Sequence, residues 1–440
     1  MAVPVTILCG ALGAGKTTLL STVLERASDR EIAVVVNDVG SVNVDADLVE
    51  AHTDLETGEE VLALENGCIC CSLGGELSRS VVRLWKRYDF EYLIVEASGV
   101  GEPEPIAHQF VRGPPGGIYD LDAIVTVVNA RQFHDTFVDG DDLEPTQQGP
   151  DEDGTRPFAD LLLEQVEFCD LLVLNKCDLV DGAERDAVVA LLETLQPNAP
   201  VVTTEYGDLE PDAVLETGLF DFSAARAAAG WKQAIESTAA DGHEHTKSGD
   251  EHEGHAHGHE QDDHDDHDHD DHDHDDHDHD HTHPPERYGI TVETFHRVRP
   301  FHPERFLAFL ENPPAGLVRA KGLTWIAGRE RAAITTSLAG TETSLEVTGR
   351  WIASFSERQQ ETYRAGQPDL AWDEQWGDRE SRLALIGHDL DLEAVIERLE
   401  ECLLTDAEMD DDWSTFENPA PTAMNERRIV SSRDDGETNR

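Results

Sequence analysis

Basic residues are scarce in this chain of 440 residues: 33 Lys and Arg stand against 92 Asp and Glu, which gives a formal net charge of -59. Phosphate binding needs a basic face, so this charge argues against nucleic acid and an anionic membrane surface as partners. No apolar run approaches the roughly 20 residues of a membrane span, and no secretory signal opens the chain. We therefore expect a cytoplasmic protein.

Lysine is also scarce, and the number of cysteines is odd. Only 6 of the 33 basic residues are Lys. We interpret the general acidity as adaptation to a cytosol at molar salt, where the Debye length is about 3 Å and self-repulsion is screened. Seven Cys is an odd number in a long chain, which argues against a disulfide scaffold and favours a reducing compartment.

Short apolar runs alternate with helical stretches in the N-terminal half. Because β-branched runs of this kind are typical of strands buried on both faces, the order predicts an α/β fold with a parallel sheet. The predicted strands are Val3 to Cys9, Ile32 to Val36, Tyr92 to Val95, Ala123 to Val128, Leu171 to Leu174 and Val201 to Thr204. The predicted helices include Thr17 to Arg26, Gly75 to Tyr88 and Ala183 to Leu195.

Composition divides the remaining chain. Residues 241–285 hold 15 of the 21 His and 18 acids, with no apolar residue after Ala256 until the tract ends, and cannot build a core. We predict a first domain over 1–240, a disordered linker over 241–285, a small α+β domain over 286–405 and a disordered tail over 406–440. The α+β domain is predicted to contain strands at Ile290 to Arg299, Leu317 to Ile326, Arg331 to Thr336, Ser344 to Ser354 and Leu383 to Ile386, with helices at Pro303 to Leu310 and Leu392 to Leu404.

A phosphate-binding loop follows the first predicted strand. The segment from Gly10 to Thr17 fits G-x-x-x-x-G-K-[ST], in which backbone N–H groups and a helix N-terminus surround phosphates. Lys16 should reach the β- and γ-phosphates, and the Thr17 hydroxyl should bind Mg²⁺. The predicted nucleotide-binding residues here are Gly10, Gly13, Ala14, Gly15, Lys16, Thr17 and Thr18.

Two further strand ends complete a nucleotide site. Asn175, Lys176 and Asp178 form N-K-x-D, and the Asp178 carboxylate can accept both N–H groups of guanine, which predicts GTP over ATP. Glu96 ends another strand before Ala97-Ser98-Gly99, where an acid would contact Mg²⁺ through water and a γ-phosphate-sensing loop would begin.

Three thiols lie within four residues at Cys68, Cys70 and Cys71. Soft thiolates favour Zn²⁺ or Cu⁺ over Mg²⁺. Three ligands leave tetrahedral zinc one position short, and water, Glu65 or a partner's ligand could fill it, which suits a site that releases its metal. Cys9, Cys169, Cys177 and Cys402 lie in apolar contexts and are predicted to be structural.

The His/Asp tract offers a second, weaker kind of metal ligand. Asp-Asp-His-Asp-His occurs three times between residues 265 and 279, and neutral imidazole binds zinc and nickel. An acidic linker that merely stays solvated is the alternative, but Asp and Glu alone would serve that purpose. The predicted ligands are His267, His269, His272, His274, His277 and His279.

Together these motifs resemble the CobW-type family of P-loop GTPase metallochaperones, which includes zinc-transfer proteins. The resemblance covers about residues 3–220 and 288–405; in the second part it rests on Arg319-Ala-Lys-Gly322, Trp325, Trp376-Gly-Asp-Arg379 and Ile386-Gly387. It implies GTP hydrolysis, Mg²⁺, and a metal bound at the Cys motif and delivered to a client. Two positions depart from the family pattern: Asp38 replaces the usual Glu after the second strand, with a metal or switch role, and Asn129 replaces an Asp.

The sequence therefore predicts a GTP-driven zinc metallochaperone with Lys16, Thr17, Asp38 and Glu96 as its catalytic residues. Three alternatives stay open: a cobalt or nickel insertion chaperone, for example in cobalamin assembly, a metal buffer with a vestigial GTPase, and a signalling GTPase with a structural zinc. The intact Lys16 and Asp178 argue against the buffer, and the absence of a fourth nearby Cys argues against a closed structural site. The client and the oligomeric state are not specified by the sequence.

Overall fold

The computed structural model describes most of the two predicted domains. The described residues are 2–36, 61–63, 74–99, 101–139, 158–221, 284–367 and 370–430, together with 229, 232, 233 and 235. Within these ranges, no helix combines the length and the apolar character that a membrane crossing requires. The predicted linker lies outside the described residues except for its last two positions.

A seven-stranded, wholly parallel sheet forms the first domain, in the order β3-β2-β4-β1-β5-β6-β7. All six strands predicted from β-branched runs are present, and β3 is an additional strand that was not predicted. The strands are β1 (Val3–Gly10), β2 (Ile32–Val36), β3 (Val61–Ala63), β4 (Tyr92–Glu96), β5 (Tyr119–Asn129), β6 (Leu171–Asn175) and β7 (Val201–Thr203). The predicted α/β fold is confirmed.

Helices cover both faces of this sheet. Val5 and Ile7 of β1 face one core and Leu8 faces the other, since alternate residues of a strand point to opposite sides. Helix α1 lies on the Leu8 face, and the other helices pack on the opposite face. The helices are α1 (Lys16–Arg26), α2 (Gly74–Arg87), α3 (Pro103–Arg112), α4 (Ala130–Phe137), α5 (Phe158–Glu167) and α6 (Gly182–Leu195).

The second domain is a six-stranded antiparallel sheet with helices, in the order β13-β11-β10-β9-β12-β8. Its core joins that of the first domain through Ile290, Val318, Ala339 and Ile386. The strands are β8 (Ile290–Arg297), β9 (Leu317–Thr324), β10 (Ala332–Ala339), β11 (Glu342–Arg350), β12 (Ser381–His388) and β13 (Arg427–Val430). The helices are α7 (Pro303–Glu311), α8 (Glu357–Gly366), α9 (Leu392–Glu401) and α10 (Asp406–Met409).

The predicted disordered tail over 406–440 is wrong for its first 25 residues, because 406–430 belong to the fold. Strand β13 pairs with β11 and becomes the outermost strand at that edge of the sheet. The pairing uses backbone hydrogen bonds, which do not depend on side-chain composition. Trp413 packs on Trp325 and Trp376, with ring centroids 6.0 and 5.8 Å apart. Arg329 donates to the carbonyl oxygens of Asn418 and Ala420 at 2.8 Å. The second domain therefore extends beyond residue 405.

Candidate nucleotide and metal site

The predicted phosphate loop joins β1 to α1 at the carboxyl end of the sheet. Gly10 has φ of +139°, and a Cβ there would lie 2.3 Å from the Val127 carbonyl oxygen, so only glycine fits beside β5. Lys16 is 8% exposed, and its Nζ donates to the carbonyl oxygens of Gly10 at 2.9 Å and Ala11 at 3.2 Å. The amine is therefore held at the loop, where a bound phosphate would accept hydrogen bonds from it.

Asn175 fixes this loop from the neighbouring strand end. Its Nδ2 donates to the Ala14 carbonyl oxygen at 3.0 Å, and its Oδ1 accepts from the Gly207 amide at 3.0 Å. The side chain is 2% exposed. The asparagine of N-K-x-D thus ties the phosphate loop to the loop after β7, which no sequence pattern indicated.

Gly15 is the position where this contact leaves no space. Its φ is +100°, and a Cβ would lie 2.3 Å from Asn175 Nδ2. Gly15→Ala should therefore break the Asn175 contact and weaken GTP binding at least about tenfold, the equivalent of one hydrogen bond plus backbone strain. Titration with a fluorescent GTP analogue measures this. Gly182→Ala, where a Cβ meets nothing within 4 Å, is the matched control; equal affinities in both variants would contradict the contact's role.

Thr17 and Glu96, the two predicted magnesium ligands, lie in contact with each other. The Thr17 hydroxyl donates to Glu96 Oε1 at 3.3 Å, and Glu96 is 2% exposed. The two lie together because β4 pairs with β1 in a register that sets Glu96 opposite Leu8. A hydroxyl and a carboxylate beside the phosphate loop are the oxygen ligands that Mg²⁺ accepts, so the residues fit this ion. Thr18 is exposed on the same helix.

Asp178 lies in the short 3-10 turn Cys177–Leu179, directly after β6. Lys176 takes a left-handed conformation with φ of +62°, which turns the chain at this point. Asp178 is exposed, and its hydrogen bond with Tyr206 raises the pKa of that phenol. The carboxylate is thus exposed at the carboxyl end of the sheet, where it forms a hydrogen bond with Tyr206.

Several predicted site residues lie outside the described residues: Asp38, Cys68, Cys70, Cys71 and the six histidines from His267 to His279. The strands around the Cys motif are described. Val36 of β2 lies opposite both Ala63 of β3 and Glu96 of β4. Since neighbouring strands lie about 4.8 Å apart, Ala63 is about 10 Å from Glu96. The segment that carries the thiols therefore leaves the sheet at the same end as Glu96, the predicted magnesium ligand.

Of the four cysteines predicted to be structural, Cys9, Cys169 and Cys402 are buried and Cys177 is half-buried. Burial raises the pKa of the Cys9 thiol to about 12 and that of Cys402 to about 11. Burial likewise raises the pKa of Cys169 and of the half-buried Cys177. Because the thiolate is the metal-binding form, these side chains stay protonated and inert near neutral pH.

Sequence reasoning missed one group of potential ligands on α4, formed by His134, Asp135 and Asp139. Arg131 already supplies the positive charge there: it donates to Asp135 and contacts His134 Nδ1 at 2.9 Å. Asn129, which replaces the family's usual Asp, is the N-cap of the same helix and accepts from the Gln132 amide at 3.3 Å. This group is accounted for as an ion-pair cluster.

Comparisons with known proteins agree with this geometry. The CobW/HypB/UreG nucleotide-binding domain model matches residues 4–203, and the cobalamin synthesis protein cobW C-terminal domain model matches 290–403. Zinc-regulated GTPase metalloprotein activator 1 of Dictyostelium discoideum is 31% identical, over 94% of this chain and 83% of its own length. Zinc chaperone CobW of a Sinorhizobium species is 31% identical over 42% of this chain and 54% of that protein.

Among solved structures, the Zn(II)-bound YjiA GTPase from E. coli is 19% identical, with a TM-score of 0.38 over 91% of this chain and 99% of that one. The two domain models together cover both described sheets except for β13. The match to the Dictyostelium protein runs through nearly the whole length of both chains. This chain belongs to the CobW family.

Proposed function

We propose that this protein is a GTP-hydrolysing metallochaperone that binds zinc at Cys68, Cys70 and Cys71 and transfers it to a client protein. The observation that carries the proposal is the shared sheet end: Thr17 and Glu96 meet there, and the thiol segment leaves it two strands away. The names of the relatives, which call them zinc-regulated or zinc chaperones, support zinc as the cargo.

The residues divide the work of hydrolysis. Lys16 offsets charge on the β- and γ-phosphates, and Asn175 keeps the surrounding loop in a single conformation before GTP arrives. Thr17 and Glu96 would hold Mg²⁺, which neutralises charge on the phosphate oxygens when bound. Asp178 would select guanine. Asp38 comes two residues after the end of β2, the strand between β3 and β4, and is proposed to report the nucleotide state.

Zinc and GTP should influence one another's binding. The loops after β2 and β4 change with the γ-phosphate in P-loop GTPases, and the thiol segment follows β3, the strand beside β2. If GTP alters zinc affinity by some factor, zinc must alter GTP affinity by the same factor. Hydrolysis would then weaken the zinc site and favour transfer to the client, in the reducing cytoplasm that free thiolates require.

The tract over 241–285 is proposed as an additional, weaker metal-binding linker between a GTPase domain over 1–240 and the C-terminal domain, with His267, His269, His272, His274, His277 and His279 as ligands. Cobalt or nickel is the alternative cargo, because imidazole binds both. Metal analysis of the untagged protein, purified at high salt with and without GTP, tests the proposal. One tightly bound zinc whose affinity changes with GTP supports the proposal. Tightly bound cobalt or nickel would instead identify that metal as the cargo.

Asp178→Asn should remove guanine preference. The substitution replaces a carboxylate that accepts two guanine N–H groups by an amide that accepts one, so GTP affinity should fall at least about 100-fold while ATP affinity changes little. Competition of GTP and ATP against a fluorescent nucleotide measures both. Asp181→Asn is the matched control, since Asp181 caps α6 and Asn caps equally well. Equal GTP and ATP affinity in the unaltered protein would contradict the assignment.

A further inference from the structure

Helix α5 (Phe158–Glu167) connects the loop after Glu96 with the C-terminal domain. Gln165 on this helix is fully buried, and its Nε2 donates to the Gly101 carbonyl oxygen at 2.9 Å. The Thr126 hydroxyl of β5 donates to the Gln165 carbonyl oxygen at 2.9 Å, which fixes the helix against the sheet. One side chain of α5 therefore holds the end of the loop that begins at Glu96.

That loop lies directly against the phosphate loop. A Cβ on Gly99 would lie 2.7 Å from the Leu12 amide nitrogen, so the two backbones are in contact. The Gly101 amide donates to the Ser98 carbonyl oxygen at 2.8 Å, which closes a tight turn. A shift at the Gly101 carbonyl is therefore transmitted through a turn of few residues to Leu12, beside the predicted phosphate position.

The opposite side of α5 is held by the C-terminal domain. Arg319 of β9 is fully buried and forms a two-pronged ion pair with Glu167, Nε to Oε1 at 2.7 Å and Nη2 to Oε2 at 2.9 Å. Its Nη1 donates to Asp160 Oδ1 at 2.9 Å, and the Ser337 hydroxyl donates to the same oxygen at 2.6 Å. Both ends of α5 are thus attached to one guanidinium group on the other domain.

The charges keep this attachment ionised. Burial alone would raise the pKa of the Asp160 and Glu167 carboxyls, but Arg319 and Lys321 lower both below their usual values. A buried ion pair contributes little net stability, but it imposes one geometry because misaligned partners stay desolvated. A cavity of about 140 Å³ lies beside the pair, lined by Glu102 and Glu104, Glu164 of α5 and Lys321 of β9. The ion pairs therefore favour one position of the helix.

We propose that Gln165 is a positioning residue for GTP hydrolysis, and that Arg319 sets its position through α5 from the C-terminal domain. The inference rests on the proposed role of the loop after Glu96. In this arrangement, a client that binds the C-terminal domain and displaces Arg319, which lies 152 positions from Glu167 along the chain, would change the loop geometry at the nucleotide.

The first test is Gln165→Leu in the full-length protein. Leucine keeps the volume and the helix but cannot donate to Gly101, so kcat for GTP hydrolysis should fall about five- to tenfold, the equivalent of one hydrogen bond. KM and the affinity for a GTP analogue should stay within about twofold, since Lys16 and Asp178 are untouched. A purely structural role would not lower kcat per folded molecule.

Tyr119→Phe is the matched control. Tyr119 is also buried, and its hydroxyl donates to the Val81 carbonyl oxygen of α2 at 2.8 Å, a bond that involves neither α5 nor the loop after Glu96. Phenylalanine likewise keeps the volume of the side chain and removes one buried hydrogen bond. Equal loss of kcat in both variants would overturn the proposal, because general loosening would then explain the effect.

A double-mutant cycle tests the action of Arg319. Arg319→Met combined with Asp160→Asn removes one charge of each sign, and Lys321 stays 3.3 Å from Glu167, so neither buried acidic position is left with an unpaired charge. This pair should lower kcat severalfold in the parent and have almost no further effect in Gln165→Leu, because both changes release the same loop. Additive effects would separate Arg319 from Gln165. Lys16→Ala distinguishes failure of the proposed function from failure of this inference. If Lys16→Ala still hydrolyses GTP, the proposed function is wrong. If Lys16→Ala loses hydrolysis but Gln165→Leu keeps the parental rate, only this inference is wrong.

Discussion

Replacing Lys16 with alanine is expected to abolish GTP hydrolysis and to weaken GTP binding at least about 100-fold. In the structure the amine is almost fully buried and is directed at the phosphate loop by the carbonyl oxygens of Gly10 and Ala11. No water molecule can supply an equivalent fixed positive charge at that position, and a charge-assisted hydrogen bond to phosphate is worth about 1.5–3 kcal/mol. Calorimetric GTP titration and phosphate release measure the two effects.

The controls separate the lost charge from lost folding. Lys86→Ala removes a lysine from the exposed last turn of α2 and should leave both quantities unchanged. Thermal unfolding of Lys16→Ala should stay close to that of the parent, because alanine is well tolerated in a first helical turn. Zinc bound at the thiols should also remain. A Lys16→Ala protein that hydrolyses GTP at the parental rate would refute the assignment of this loop.

Local patterns predicted most of the first domain because each depends on neighbouring residues. The runs Ile32–Val36 and Leu171–Asn175 are buried strands, and the glycines before Lys16 take the conformations that the motif demands. Each motif predicted the chemistry at the end of one strand. They could not give the strand order, which decides that β4 lies beside β1 and brings Glu96 to Thr17.

Contacts between segments that are distant along the chain could not be predicted from the sequence. Arg319 looked like one residue of a family motif, and nothing along the chain indicated that its partners are Asp160 and Glu167 on a helix of the other domain. The prediction for the tail was wrong for a different reason. Its acidic composition predicted disorder, but a few residues such as Val430 and Ala420 are buried, and β13 needs only an open sheet edge to pair with.

The triple variant in which Cys68, Cys70 and Cys71 are replaced by serine should lose the tight zinc ion altogether. Serine hydroxyls stay protonated at neutral pH and are much weaker zinc ligands than thiolates, so affinity should fall by roughly three orders of magnitude or more. Metal stoichiometry under reducing conditions at molar salt should drop from one tight ion to none. Any weak binding that remains is expected from the histidine tract.

Loss of zinc should also uncouple it from GTP. The thiol segment begins after Ala63, about 10 Å from Glu96 across two strand spacings, so a bound ion there can bias the nucleotide loops. In the triple variant, zinc should no longer change the rate of hydrolysis, whereas GTP binding through Lys16 and Asp178 should persist.

Cys402→Ser is the matched control for the thiol variants. Its sulfur donates to the Arg398 carbonyl oxygen at 3.2 Å in the C-terminal domain, a bond that a hydroxyl preserves, so zinc content and coupling should not change. A triple variant that still holds one tight, GTP-responsive zinc would place the site elsewhere. Unfolding of the triple variant would instead favour a structural zinc, because only a metal that contributes folding free energy destabilises the domain when its ligands are removed.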